Sequence, residues 1–133
     1  MSEWSGQSKQ IAAVTLFVED LDVAKSFYEE VFDLPVHYED ANSAVFQFTH
    51  TLLNLLKVTQ ASDLIGPAAV AGRDAGSRFQ FTIAVDDVDA VCEQLKDRGV
   101  TLVNGPVDRW WGLRTASFTD PDGHIWEIAQ DLA

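Results

Sequence analysis

Hydrophobic residues along the chain follow two periods, one of two residues and one of three to four. Residues 11–18 have the two-residue period, which predicts a β-strand. The segment after them has apolar residues at helical spacing, which predicts an amphipathic helix that Asp22 caps. Three further strands are expected near residues 36–40, 44–48 and 51–58.

The same order of elements begins again 67 residues later. Residues 14–22 (VTLFVEDLD) and 81–89 (FTIAVDDVD) share an apolar strand, an acidic pair and the start of a helix. The second helix is expected from Val88 to Arg98, with Gly99 ending it. Its flanking strands are predicted at 79–85, 101–104, 113–118 and 124–130. A β-α-β-β-β unit that occurs twice predicts an α+β fold with mixed or antiparallel sheets.

This repeat also predicts the domain organisation. We expect a flexible, polar N-terminal tail over residues 1–10 and a single domain over 11–133. The two βαβββ modules span about 11–58 and 79–130. The connector between them, residues 59–78, is rich in Ala, Gly, Ser and Asp, and a connector of this length is often functional or mobile.

Composition narrows the class of protein. The chain has 133 residues, of which 47% are hydrophobic, so it is long enough to bury a core without metals or disulfides. Its single cysteine, Cys92, cannot form an internal disulfide, which favours a reducing compartment. The N-terminus has no hydrophobic signal region and no apolar run is long enough to span a membrane. We therefore expect a cytoplasmic protein without a membrane partner.

The chain is strongly acidic, with a formal net charge of -12 and a pI of about 4.3. Binding to nucleic acid requires clustered Lys and Arg to neutralise phosphates, so a nucleic-acid partner is not expected. Two interpretations of the acidity remain open. The acidic residues either keep the protein soluble or create a field that favours a cationic ligand.

The repeat identifies candidate site positions. It matches Ala13 with Gln80 on the first strands, and Asn54 with Glu127 on the last strands. Asn54 and Glu127 are each a polar residue in an otherwise apolar strand. Polar groups that face a core need partners, so both indicate a solvated or ligand-filled cavity, unless they face outward on half-exposed strands.

Three segments resemble a known family. They are residues 14–21 (VTLFVEDL), 27–34 (FYEEVFDL) and 118–127 (FTDPDGHIWE), and they are similar to the glyoxalase, bleomycin-resistance and extradiol-dioxygenase superfamily, also called vicinal oxygen chelate proteins. The resemblance covers Ile11 to Gln130. It implies paired βαβββ modules whose curled sheets enclose a cleft, often in a homodimer. Whether the modules pair within one chain or between two chains stays open, because both arrangements satisfy the same strand patterns.

The resemblance also implies where a divalent metal would bind in the family's enzymes, namely at Ala13, Asn54, Gln80 and Glu127. Only Glu127 is a strong ligand, because Ala13 has no donor atom and the two amides are weak. We therefore expect no metal and no cofactor at these positions.

Four more residues are candidates for ligand binding. Trp111-Gly112-Leu113-Arg114 is similar to a segment of the bleomycin-resistance members, which implies that Trp111 stacks on a planar or cationic ligand. Arg114 either binds a carboxylate of the ligand or holds an acidic residue nearby. Phe46 and Phe48 share a strand face and would form the floor of the cleft. The alternative for Phe46 and Phe48 is the hydrophobic core, and for Trp111 the core or a dimer interface.

Three functions are compatible with these features. The first is a metal-free protein that binds a small aromatic or cationic molecule in the cleft. The second is a lyase, isomerase or dioxygenase of the same superfamily, with or without a metal, that uses Glu127 as the general base. The third is a module that uses the cleft only for dimerisation.

Overall fold

The computed structural model describes residues 6–7 and 9–133, so most of the predicted tail, residues 1–5 and 8, lies outside the described residues. The strands of the described part are β1 (Ala13–Val18), β2 (Tyr38–Glu39), β3 (Ser43–Gln47), β4 (Leu52–Lys57), β5 (Gln80–Ala84), β6 (Leu102–Asp108), β7 (Leu113–Thr119) and β8 (Ile125–Asp131). Its α-helices are α1 (Leu21–Val31), α2 (Ser62–Ile65) and α3 (Val88–Asp97). Within these residues no helix combines the length and apolar character needed to cross a membrane.

The strands form two four-stranded sheets with the same topology. Module 1 (residues 13–57) has the strand order β1-β4-β3-β2, and module 2 (residues 80–131) has the order β5-β8-β7-β6. In each module the first and last strands pair in parallel, while the other neighbours pair antiparallel. The predicted α+β fold with two βαβββ modules is therefore confirmed.

Both long helices begin at an aspartate cap. Asp20 accepts a hydrogen bond from the backbone N–H of Val23 at 3.2 Å, and Asp87 accepts one from Ala90 at 3.1 Å. The prediction that Asp22 caps α1 was wrong, because the helix already begins at Leu21 and Asp22 lies within its first turn. The two caps stand 67 residues apart, so the repeat extends to the caps.

Strand β6 is longer than the sequence predicts and is irregular. It continues from the expected end at residue 104 to Asp108, with breaks in its register against β7. At the break, Gly105 has φ +85°, and a Cβ there would overlap the carbonyl oxygen of Thr115. Glycine permits this close approach because it has no Cβ and readily adopts positive φ.

The two modules pack together through the faces of the sheets that carry the helices. Phe32, just after α1, packs against Trp126 on β8, with ring centroids 4.8 Å apart. Trp126 Nε1 also donates a hydrogen bond to the Tyr28 hydroxyl at 3.1 Å. Arg98 Nη1 donates to the Val31 carbonyl at 2.8 Å. Buried residues of both modules thus form one hydrophobic cluster. Each fully buried large side chain stabilises the folded state by roughly 1.5–3 kcal/mol.

Neither α1 nor α3 lies on the opposite face of its sheet, and we call that face the open face of the module. Thr15 and Asn54 lie on the open face of module 1, and Thr82 and Glu127 on that of module 2. Because the helix-bearing faces meet in the shared core, the two open faces of one chain point away from each other.

The connector lies beside module 1 and is fastened to both modules. Arg73 forms ion pairs with Glu19 at 2.5 Å and with Asp122 at 3.4 Å. Glu19 follows β1, and Asp122 belongs to the turn before β8, so one arginine ties the connector to both modules. The same Asp122 also accepts a hydrogen bond from the backbone N–H of Glu19 at 3.0 Å.

Candidate functional site

The two open faces carry equivalent pairs of polar side chains. In module 1 Asn54 Nδ2 lies 3.4 Å from Thr15 Oγ1, and in module 2 the Thr82 hydroxyl donates to Glu127 Oε1 at 2.9 Å. In both modules the two residues stand opposite each other on the parallel first and last strands. The positions that the repeat matched are therefore structurally equivalent.

The carbonyl oxygen of Asn54 is a buried acceptor without a donor. Among the described residues, Oδ1 of Asn54 is the buried side-chain polar atom that makes no hydrogen bond. Leaving such a group unsatisfied costs about 1–3 kcal/mol, so its presence in a native fold calls for an explanation. A ligand or partner that donates an N–H or O–H to this oxygen would remove that cost.

Glu127 is half-buried on the open face of module 2. Its Oε1 accepts from Thr82, and Ser117, which is 6% exposed, stands opposite it on β7. The described residues give the second carboxylate oxygen no hydrogen bond. Glu127 therefore has free acceptor capacity for a donor from outside the module.

The remaining two positions of the predicted set are exposed. Gln80 lies two residues before Thr82, on the same open face as Glu127, and Ala13 lies two residues before Thr15. Within one chain, the four positions are thus divided between two faces that point apart.

The donor set fits a divalent metal poorly. It contains one carboxylate and two amides, whereas transition-metal sites use imidazole, thiolate or several carboxylates. The part of the chain that the structure describes contains no group of three His, Cys, Asp or Glu side chains suited to hold an ion.

Phe46 and Phe48 lie on the helix-bearing side of module 1. Phe46 is fully buried opposite Leu53, so its side chain points to the face opposite that of Asn54. Phe48 stacks on Trp126, with ring centroids 5.6 Å apart. Side chains alternate along a strand, so residues two apart point to the same face. Phe46 and Phe48 therefore both belong to the shared core and not to the floor of an open face.

Arg114 is already paired with acidic residues of its own chain. Its guanidinium donates to Asp108 at 2.9 Å and to Asp89 at 3.0 Å. These hydrogen bonds, with Asp108 as the largest contribution, raise the pKa of Arg114 above its usual value. Asp89 lies on α3, so Arg114 ties this helix to the sheet, which is the second of the two predicted roles.

Trp111 lies in the turn between β6 and β7 and is 51% exposed. The guanidinium of Arg109 stands over its ring, 5.7 Å from the centroid. Arg109 Nε donates to Thr115 Oγ1 at 2.9 Å, and Thr115 shares the open face with Ser117. Because Arg109 contacts both Thr115 and the ring of Trp111, Trp111 lies at the rim of the open face of module 2.

Arg109 was not predicted as a site residue. It lies two residues before Trp111, in the turn that joins β6 and β7, where no periodicity of the sequence indicates which side a residue faces. Its Nη2 donates to Asn104 Oδ1 at 3.2 Å, so the side chain is held by two neutral acceptors.

A cavity of about 550 Å³ lies between the connector and the end of β1. Thr15, Phe17 and Ile65 contribute to its wall, and Phe79 and His124 line it on the side of module 2. Thr15 lines this cavity and its hydroxyl contacts Asn54, so the cavity adjoins the open face of module 1.

Two curated proteins illustrate the similarity in sequence. The chain is 30% identical over 128 residues to the uncharacterised protein YraH of Bacillus subtilis, covering 92% of this chain and 99% of YraH. It is 28% identical over 113 residues to the metallothiol transferase FosB of Bacillus licheniformis, covering 84% of this chain and 68% of FosB.

Solved structures have the same fold. A glyoxalase/bleomycin resistance protein/dioxygenase from Nocardioides superposes with a TM-score of 0.85 at 22% identity, covering 95% of this chain and 85% of that one. TnmS3, an antibiotic-binding protein from Streptomyces, superposes with a TM-score of 0.71 at 26% identity, covering 93% of this chain and 97% of TnmS3. Residues 10–128 match the sequence pattern of one family over most of the chain. The chain therefore belongs to the Glyoxalase/Bleomycin resistance protein/Dioxygenase superfamily.

Proposed function

We propose that this protein binds a small aromatic or cationic molecule, without a metal, in a cleft lined by the open faces of its modules. The observation that carries the proposal is the buried Oδ1 of Asn54, which has no donor among the described residues. Glu127 supports it with a carboxylate oxygen that is also free. Both atoms are acceptors, so the complementary ligand is one that presents N–H donors, as a protonated amine does.

The surroundings of these acceptors favour the same class of ligand. The net charge of -12 attracts cations, and it disfavours nucleic acid as a partner. Trp111 offers an exposed aromatic surface at the rim of the open face. The similarity to TnmS3, an antibiotic-binding protein, is consistent with a binding role.

The cleft requires a second copy of the chain. Asn54 and Glu127 lie on faces that point apart within one chain, so they can line one cleft only if the open face of module 1 meets that of module 2 from another copy. We therefore propose a homodimer with two equivalent clefts. Apolar surface at the β6–β7 hairpin, where Val107 is 39% and Trp110 is 92% exposed, would be covered in such an assembly.

We place this function in the cytoplasm. The single cysteine, Cys92, is free and only 2% exposed, and burial raises the pKa of its thiol. A buried free thiol without a disulfide partner suits a reducing compartment.

A second candidate function is that of an enzyme that uses Glu127. The 28% identity to the metallothiol transferase FosB favours it. In this case Glu127 would act as a metal ligand or as a general base toward the bound molecule. The lack of a donor atom at Ala13 and the weak amide donors of Asn54 and Gln80 make us prefer the metal-free binder.

A panel of cationic aromatic compounds tests the binding function by thermal shift and by tryptophan fluorescence. We expect some compounds to raise the melting temperature, because a ligand that binds only the folded state stabilises it. Replacement of Glu127 by Gln is expected to weaken binding by about tenfold or more, since a charge-assisted hydrogen bond is lost. Glu93→Gln is the matched control, because Glu93 lies on α3 and pairs only with the exposed Lys96 among the described residues.

Metal analysis of protein purified without chelator separates the two candidates. Stoichiometric iron, nickel, zinc or manganese that is lost in Glu127→Gln would favour the enzyme. An absence of any shift across a broad panel would contradict the binding function.

A further inference from the structure

We propose that the ligand of this cleft carries an anionic group in addition to its cationic group, and that Arg109 is the residue that binds the anion. The inference rests on the proposed function and narrows it to a zwitterionic class of small molecule. It assigns Arg109 as a specificity-determining residue.

Arg109 is a half-buried cation that lacks an acidic partner. The chain contains 21 Asp and Glu but only nine Lys and Arg, so carboxylates outnumber cations by more than two to one. Arg73 and Arg114 each pair with two carboxylates, and Lys25 pairs with Glu39 at 2.7 Å. Arg109 has no carboxylate at ion-pair distance within the described residues, and its hydrogen bonds go to neutral oxygens.

The guanidinium is held in place but not saturated. A guanidinium has five N–H donors, and Arg109 uses one on Thr115 and one on Asn104. Thr115 is 1% exposed, so it is a fixed anchor, and the ring of Trp111 limits the orientation of the guanidinium from another side. The remaining donors can bind a carboxylate with two parallel hydrogen bonds. Because the side chain is already ordered, such binding costs little additional conformational entropy.

The position of Arg109 relative to Glu127 sets the spacing of the two charges. Thr115 lies two residues from Ser117 on β7, and Ser117 stands opposite Glu127 on β8. Two residues of a strand span about 7 Å, so the cation and the anion of the ligand should be separated by roughly 7–10 Å. An α-amino acid is too short for this spacing, whereas a benzene ring with charged groups in para positions has about the required length.

Three compounds that share one ring test the inference by isothermal titration calorimetry. Benzylamine carries the cation alone, benzoate carries the anion alone, and 4-(aminomethyl)benzoate carries both. We expect the zwitterion to bind about tenfold or more tightly than benzylamine, because a charge-assisted bidentate pair is added. This advantage should disappear in Arg109→Gln and persist in part in Arg109→Lys. Lys96→Gln, which removes the same charge from α3, is the control and should leave the advantage unchanged.

The outcomes separate this inference from the proposed function. Equal binding of benzylamine and 4-(aminomethyl)benzoate to the unaltered protein would overturn the role of Arg109 and leave a cation-binding cleft in place. A zwitterion advantage that survives in Arg109→Gln would also overturn it. A failure of all three compounds and of the wider cationic panel would remove the proposed function and this inference together. The melting temperature of each variant shows that a loss of binding does not result from unfolding.

Discussion

At the scale of single residues, the buried carboxylate of Asp120 joins the two modules. The Tyr28 hydroxyl of α1 donates to its Oδ2 at 2.6 Å, and His124 Nδ1 lies 2.8 Å from the same oxygen. The backbone N–H groups of Asp122 and His124 donate to Oδ1. Burial, together with the negative charge of Asp120, raises the pKa of Tyr28, so the phenol stays protonated as a donor. A buried charge is tolerated here because it is surrounded by donors.

His124 gives this cluster a dependence on pH. Burial alone would lower the pKa of His124, but its hydrogen bond and charge interaction with Asp120 outweigh burial and raise the pKa above 6.5. The protonated ring therefore adds stability that is complete below the pKa of the unfolded state and is lost as pH rises through the higher folded-state pKa. We expect the unaltered protein to exceed His124→Gln in free energy of unfolding by more at about pH 6 than at about pH 9.

Urea unfolding of both proteins at several pH values measures this difference. His50→Gln is a suitable control, because His50 is an exposed residue of the β3–β4 turn. If the free energy of unfolding differs between His124→Gln and the unaltered protein by the same amount at every pH, the expectation is contradicted.

At the scale of elements, the β6–β7 hairpin shapes the open face of module 2. The irregular register of β6 places Asn104 opposite Ser117, and the turn that follows carries Arg109 and Trp111. Gly105 stands at the irregularity, where a Cβ would come within 2.7 Å of the Cα of Ala116. This hairpin therefore depends on a glycine for the close approach of its strands.

Replacement of Gly105 by Ala is expected to destabilise the protein more than replacement of Gly112 in the same hairpin. Both glycines have positive φ, so each substitution carries backbone strain of about 1–2 kcal/mol. Only Gly105 adds a steric overlap, because nothing lies within 4 Å of a Cβ at Gly112. We expect Gly105→Ala to cost roughly 1–3 kcal/mol more than Gly112→Ala in free energy of unfolding. If urea unfolding shows the same loss in free energy of unfolding for Gly105→Ala and Gly112→Ala, the expectation is contradicted.

The sequence predicted most elements, and its failures have physical causes. Strands with regular alternation, such as β1 and β5, appear within two residues of their expected bounds. Strand β6 was predicted too short, because Gly105 and Pro106 are typical of a loop, although Val107 and Asp108 beyond them pair with β7. For Arg114 the sequence left two roles open, and the contact with Asp89 of α3 that distinguishes them comes from the packing of the helix on the sheet.

At the scale of the whole molecule, the repeat predicted which positions are equivalent but not where they meet. Asn54 and Glu127 do occupy equivalent places. Which sheet faces pack against each other within one chain is decided by long-range contacts, such as those of Phe32 with Trp126, that leave the strand pattern unchanged. The sequence therefore could not show that the open faces of one chain point apart.

Mixed dimers test the proposal that each cleft takes one face from each copy. We combine a chain carrying Asn54→Leu with a differently tagged chain carrying Glu127→Gln and isolate the mixed dimer. In it, one cleft should carry both substitutions and the other neither, so titration with a panel compound that binds should give one site of unaltered affinity per dimer. Each parent homodimer should bind weakly, because every cleft contains one substitution.

A cleft formed within one chain predicts a different result, because every cleft of the mixed dimer would then keep one substitution. Absence of a high-affinity site in the mixed dimer would thus contradict shared clefts. Sedimentation of the unaltered protein as a monomer at all concentrations would contradict them as well.

The core shared by both modules has a consequence for the order in which the chain is synthesised. The ribosome releases module 1 first, but Phe32 and Phe48 bury their rings against Trp126, which is made 94 and 78 residues later, respectively. Until β8 has emerged, the aromatic residues of the completed first half remain exposed to solvent and to other nascent chains. We therefore expect early-terminated chains that lack β8 to aggregate and to be bound by chaperones, even though they contain every strand of module 1.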